Sequence, residues 1–292
     1  MILACLMAAA LAFSSEDAKA VLDLTGEFVT AYPCRDAGSH GGRQAARWLL
    51  GKASVEGGNV YQDSFKAMTP DGPRTLTNLY CPFERDSAAP WTVFVSHFDT
   101  KPGTDCPGAN DGGVTSCLLV RLVKLVFDNR AFDRNVMFIW TDSEECRGTC
   151  YADGDGFQGS VRAAEMLKGK GIEVDGVYVL DMLGDGGLKI SIPSNVSPDL
   201  ARNVVSAAKR LGLGLGRGLV ASLGSAVKDD HVAFLDAGFK AVDLIDFEYG
   251  SKPGLNDYWH TPQDTPDKLS VDSILTVGRL VCEILSSEKA VK

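Results

Sequence analysis

Trp91-Thr-Val-Phe-Val-Ser-His97-Phe-Asp99 is the stretch on which the fold turns. Its first six residues are largely apolar and β-favouring, and the run then ends on a histidine and an aspartate. A strand alternates its faces, so positions 97 and 99 point the same way. The carboxylate can then fix one imidazole nitrogen and leave the other free for a cation. Taken alone, the pair reads better as a satisfied histidine at a strand end.

Working outward, comparable apolar runs recur at 134–140, 177–181 and 241–245. Longer segments lie between and after them, at 114–127, 160–167, 199–211 and 270–285. These carry apolar residues at three- and four-residue spacing and start near Ser, Thr, Asp or Gly, as helices do. The alternation predicts an α/β three-layer sandwich: a central mixed, mostly parallel, twisted β-sheet with helices on both faces. No fixed-period repeat and no Pro-, Gly- or Ser-rich linker divides the chain, so residues 14–292 are expected to form one catalytic domain.

Polar residues gather after the strands: His97 and Asp99, then Asp142, Glu144 and Glu145, then Asp181, then Asp246. The carboxyl ends of strands form the ligand crevice of open α/β sheets. Gly108-Ala-Asn-Asp111-Gly-Gly-Val-Thr is a Gly-rich turn opening a helix. It lacks both the P-loop lysine and the dinucleotide-binding glycine order, so phosphate binding is a weak rival. The adjacent carboxylates of Glu144 and Glu145 repel unless a cation or a shared proton intervenes. One can bind metal while the other moves protons. Asp181 ends a buried strand and needs a partner for the same reason. Tyr258-Trp259-His260-Thr-Pro262 supplies a late histidine beside an aromatic residue. Nitrogen and oxygen donors without a thiolate suit Zn²⁺ in an open catalytic site.

Composition narrows the partners. The chain has 292 residues, 45% hydrophobic and 23% charged, a globular balance that excludes disorder as the main state. Its net charge of −9 gives no general footprint for nucleic acid or anionic membrane, and favours a small, cationic or peptide partner. Residues 1–13 are uncharged and almost wholly apolar, and Ala10-Leu11-Ala12 supplies a cleavage pattern. The segment is too short to span a bilayer but suits a signal sequence, with a buried first helix as the alternative, so a secreted or periplasmic protein is expected, with no membrane insertion of the mature chain. Among eight cysteines, Cys146 with Cys150, or Cys106 with Cys117, could pair in an oxidising compartment.

At this point the residues resemble a known group. The order His97-x-Asp99, Asp111 in Gly-Ala-Asn-Asp-Gly-Gly, Glu144-Glu145, Asp181 and His260 is similar to that of the zinc aminopeptidase family M28 and the related glutaminyl cyclases. Three details favour the cyclase branch: the thirteen residues 146–158 between Glu145 and Gly159-Ser160, the Trp259-His260-Thr sequence, and Asp229-Asp230-His231-Val-Ala-Phe-Leu. The insertion's Cys146-Arg-Gly-Thr-Cys150 differs from the aromatic-rich sequence of the animal cyclases.

The resemblance implies a zinc-exopeptidase-like fold, with Asp111, Glu145 and His260 as ligands of one zinc. It further implies Glu144 as general acid/base, Asp181 and Asp230 as a carboxylate network around the reacting amide, and Trp259 packing on substrate. In the peptidase version His97 and Asp181 bind a second zinc and Asp111 bridges, with Asp99 supporting His97. The substrate is a peptide N-terminus in either case. The first expectation is conversion of N-terminal Gln to pyroglutamate with one zinc. The alternative is a two-zinc aminopeptidase, and an inactive binding homologue is the weakest reading, since every matched position is intact. His231 is expected to be structural beside Asp230, and His40 solvated at a helix start.

Overall fold

The computed structural model describes residues 11–149, 151–152, 154–214, 219–220 and 222–286. Among these, the chain runs through α1 (Ser15–Ala31), α2 (His40–Val55), β1 (Tyr61–Thr69), β2 (Gly72–Phe83), β3 (Trp91–His97), α3 (Val114–Asp128) and β4 (Asn135–Thr141). It continues through α4 (Gln158–Gly169), β5 (Val174–Asp181), β6 (Ile190–Ser191), α5 (Pro198–Arg210), β7 (Leu219–Val220), α6 (Asp230–Asp236), β8 (Ala241–Ile245) and α7 (Val271–Ser286).

Among the described residues the sheet has eight strands, in the order β1-β2-β4-β3-β5-β8-β6-β7. Its centre, β4-β3-β5-β8, is parallel; β1, β2 and β4 pair antiparallel at one side, and β6 is antiparallel to β8 at the other. The four strands expected from apolar runs are these central ones. Both of their faces are covered, which is why they read as near-continuous apolar runs rather than alternating ones.

The alternation of β3 shows the layering. Phe94 joins a core with α1, α2, α3, α5 and α7, whereas Val93 and Val95 join one with α4 and α6. Helices on both faces of a mixed sheet make the three-layer α/β sandwich, with five on one side and two on the other. Each expected helix is present, α2 starts at His40 where a helix start is expected, and α1 and α6 are additional.

Within the expected 1–13 signal segment, residues 1–10 lie outside the described residues. Leu11 and Phe13 are buried, with the Phe13 ring seated against Gly278 of α7. Among the described residues no helix is long and apolar enough to cross a membrane. Cys106 and Cys117 are buried free thiols rather than a pair. Cys150 lies outside the described residues, and with it the Cys146–Cys150 pairing.

Candidate metal centre

Every expected ligand stands at the carboxyl end of a central strand or on a loop that meets it. His97 closes β3, Asp181 closes β5, and Glu144-Glu145 follow β4. Asp111 sits in the irregular turn Ala109–Gly113 ahead of α3, and His260 lies in the loop between β8 and α7. The local backbone is tight. Ser143, Met182 and His260 are non-glycine residues with φ of 65°, 53° and 58°, each at or beside a site residue. Such conformations cost free energy and gather where geometry is over-determined by function.

Asp111 is the hub. Its Oδ1 lies 3.1 Å from His97 Nε2 and its Oδ2 3.4 Å from His260 Nε2. His97 Nε2 also lies 3.2 Å from Asp181 Oδ1, and His260 Nε2 lies 2.9 Å from Glu145 Oε1. Two triads result, His97–Asp111–Asp181 and Asp111–Glu145–His260, and within each the ligand atoms lie within 4.8 Å of one another. The donor sets suit zinc. Asp111 Oδ2 and Glu145 Oε2 are buried without a hydrogen-bond partner, as ligand atoms facing a cation would be.

The residues beneath hold this geometry. Asp264 accepts the backbone N–H groups of Asn110 at 2.7 Å and Asp111 at 3.2 Å, and the Tyr249 hydroxyl at 2.7 Å. Asn110 ties the same turn to the end of β5 by donating to Met182 O and accepting from Gly184 N. Arg35, fully buried, donates to the carbonyls of Phe98, Pro107 and Gly108. Sequence reasoning passed over Asp264 and Arg35; a carboxylate four residues after His260 was the only available signal.

Asp99 stands beside His97 and also braces the glutamate pair. Its oxygens accept the backbone N–H groups of Glu144 and Glu145, each at 3.1 Å, while His97 Nδ1 stays 3.5 Å away. It braces the glutamate pair first and faces the imidazole second.

A chamber of about 110 Å³ opens onto the cluster. Asp111, Glu145, Asp181 and His260 form its floor, and Glu144, Tyr151, Asp229 and Trp259 line its walls with several apolar side chains. Trp259 stacks on His260 with ring centroids 3.8 Å apart and remains partly exposed. Asp230 turns away: its Oδ2 accepts from the Thr141 hydroxyl beneath the floor at 2.9 Å. The wall carboxylate is therefore Asp229. Tyr151, from the 146–158 insertion, is a second wall residue that sequence reasoning did not single out.

Burial and like charge set the proton affinities. Burial first, then repulsion from Glu145, raises Glu144 well above the ordinary glutamate range. Burial and Asp111 lift Glu145 to about 8. Burial, Asp181 and Asp230 raise Asp229. Asp111 goes the other way: burial would raise it, but His260 and His97 together pull it below the usual range. His260 rises to about 9, because the Asp111 and Glu145 carboxylates outweigh the opposing effect of burial. Without a cation, the cluster retains protons in its place.

His231 is buried beside Asp243 and does not reach the chamber. His40 opens α2 on the surface.

The sequence model of peptidase family M28 matches residues 78–285. The chain is 26% identical over 288 residues to the glutaminyl-peptide cyclotransferase-like protein of Bos taurus, covering 86% of this chain and 71% of that one. Among solved structures, a glutaminyl cyclase from an Acidobacteriales bacterium superposes with a TM-score of 0.82 at 28% identity, covering 92% of this chain and 93% of that chain. A leucine aminopeptidase precursor from Bacteroides thetaiotaomicron superposes with a TM-score of 0.81 at 22% identity, covering 95% and 98%.

Proposed function

The chain belongs to peptidase family M28, and from that premise we propose that it is a glutaminyl-peptide cyclotransferase, converting N-terminal Gln to pyroglutamate with release of ammonia. The observation that carries this reading is the buried Glu144 carboxyl in the wall of a small chamber, beside the Asp111–Glu145–His260 triad and covered by Tyr151 of the insertion.

Asp111, Glu145 and His260 would hold zinc. When bound, zinc supplies Lewis-acid polarisation of the substrate's side-chain amide carbonyl. Glu144 accepts a proton from the α-amine, whose nitrogen then attacks the side-chain carbonyl carbon. A C–N bond forms there, the bond to the amide nitrogen breaks, and Glu144 returns the proton so that ammonia leaves. Its raised proton affinity suits both halves of this duty. Asp229 and Asp181 accept hydrogen bonds from the substrate nitrogens and keep the amide oriented. Trp259 forms an apolar wall at the rim.

The second reading is an aminopeptidase that holds two zinc ions, favoured by one observation: Asp111 faces both histidines, so two triads share it. The assay that separates the two offers the purified chain Gln-peptides and Leu-amide substrates and follows ammonia and free amino acid independently. Amino-acid release without pyroglutamate would sink the cyclase reading. Chemically inert protein that still binds peptide would favour the binding homologue instead. We further propose that residues 14–292 form one catalytic domain of a secreted or periplasmic protein, with the expected leader 1–13 cut back to residues ahead of Leu11, since Leu11 and Phe13 are packed into the domain.

A further inference from the structure

Behind the chamber wall lies a second cluster, of which the chemistry above uses only Asp229. Asp243 occupies the middle of β8, on the face covered by α6, where the paired Val179 and the same-face Ala241 are apolar and Asp181 follows two positions along β5. It is fully buried, and neither carboxylate oxygen has a hydrogen-bond partner. Facing it from the first turn of α6 is His231, also fully buried, with both ring nitrogens unpartnered. His231 Nδ1 lies 3.9 Å from Asp243 Oδ2. Asp229, which caps α6 and lines the chamber, completes the group, and one ligand atom from each of the three lies within 4.8 Å of the others.

A carboxylate in an apolar layer is costly unless it is hydrogen-bonded or neutralised. Here hydrogen bonding is missing from both of Asp243's oxygens and from the ring that faces them. Once ionised, the two carboxylates carry two negative charges, which one divalent ion neutralises. Two oxygens and one imidazole nitrogen form the donor set of a borderline cation.

We propose that Asp229, His231 and Asp243 form a separate metal centre for a divalent ion of the zinc class, distinct from the Asp111 cluster and joined to the chamber through Asp229. An ion there fixes the orientation of Asp229 and bonds α6 to β8. The inference is independent of which reaction the chamber performs.

The test counts metal rather than turnover. The full chain is loaded with Zn²⁺, dialysed against metal-free buffer and analysed for zinc per chain. An Asp111→Asn/His260→Ala chain lacks the carboxylate shared by both chamber triads and is expected to keep one zinc. Adding Asp243→Asn or His231→Gln to that chain is expected to remove it. Circular dichroism verifies folding in each case. A zinc-edge anomalous map of the wild-type crystal needs no variant and should show a peak among the three side chains. No peak there, no zinc on the Asp111→Asn/His260→Ala chain, or a count indifferent to Asp243→Asn overturns the proposal and leaves a proton shared between Asp243 and His231.

Discussion

Tyr151 donates its hydroxyl to Glu144 Oε1 at 2.9 Å, while its ring stacks on Phe157 with centroids 4.2 Å apart. The insertion 146–158 thus reaches into the chamber to hold the proposed acid/base. Tyr151→Phe keeps the stack and removes only the donor. A hydrogen bond to a charged group is worth about 1.5–3 kcal/mol, so kcat should fall roughly ten- to hundredfold. KM should move far less if the bond matters chiefly in the transition state. Steady-state kinetics on a Gln-peptide check this, and an unchanged kcat would show that the insertion only encloses the site.

Glu144→Gln removes the proton carrier while preserving shape. Loss of general acid–base catalysis costs about 10²–10⁴ in rate, and the zinc content should be unaltered because Glu145, not Glu144, belongs to the triad. Activity that survives this exchange would move the acid/base role to Asp229.

What the sequence made legible follows from burial. The central strands could be read because both faces are covered and the runs are apolar; the same residues set the strand ends where the ligands gather. β1 escaped notice because Tyr61-Gln-Asp-Ser-Phe-Lys-Ala-Met-Thr69 is a mostly solvent-facing edge strand with no sustained apolar run. Of α2 only the start at His40 was legible, because Gly41 and Gly42 break the pattern of its first turn, where Cys34 and Asp36 carbonyls press so closely that a Cβ would collide. The choice between Asp229 and Asp230 was beyond any pattern. Asp229 caps α6 with extended backbone, so the residue before the helix, rather than the first within it, faces the chamber.

Gly112 is the position where the turn tolerates no side chain. Its φ is +76°, and a Cβ would lie 2.7 Å from His97 Cε1 and 3.0 Å from the His97 carbonyl oxygen. Gly112→Ala should therefore displace His97 and destabilise the fold by about 1–3 kcal/mol. Urea unfolding of the metal-free chain measures this directly. Unchanged stability would mean that the turn re-forms without strain.

Arg35 supports the same turn from below through three carbonyls and the nearby Asp264 charge. Arg35→Met retains most of the volume but leaves those buried acceptors bare. At roughly 1–3 kcal/mol for an unsatisfied buried group, the variant should lose about 3 kcal/mol of stability. A loss of zinc affinity should accompany it, since Phe98, Pro107 and Gly108 flank His97 and Asp111. A variant as stable as the wild type would show that the carbonyls find other donors.

Zinc and protons compete for the same atoms. His260 is raised to about 9 by its carboxylate neighbours, His97 is raised as well, and Glu145 stands at about 8. At neutral pH the metal-free cluster consequently holds protons that zinc must displace, because metal ligands bind deprotonated. The sign is fixed: lowering pH fills these groups with protons and weakens zinc binding, and raising it through their elevated values strengthens it. Between about pH 6 and pH 9 affinity should climb steadily, with net proton release on binding. Calorimetric titration of zinc into the metal-free chain, in two buffers of different ionisation enthalpy, gives the number of protons released. A chain whose zinc affinity is flat across that interval does not bind the ion through His260 and Glu145.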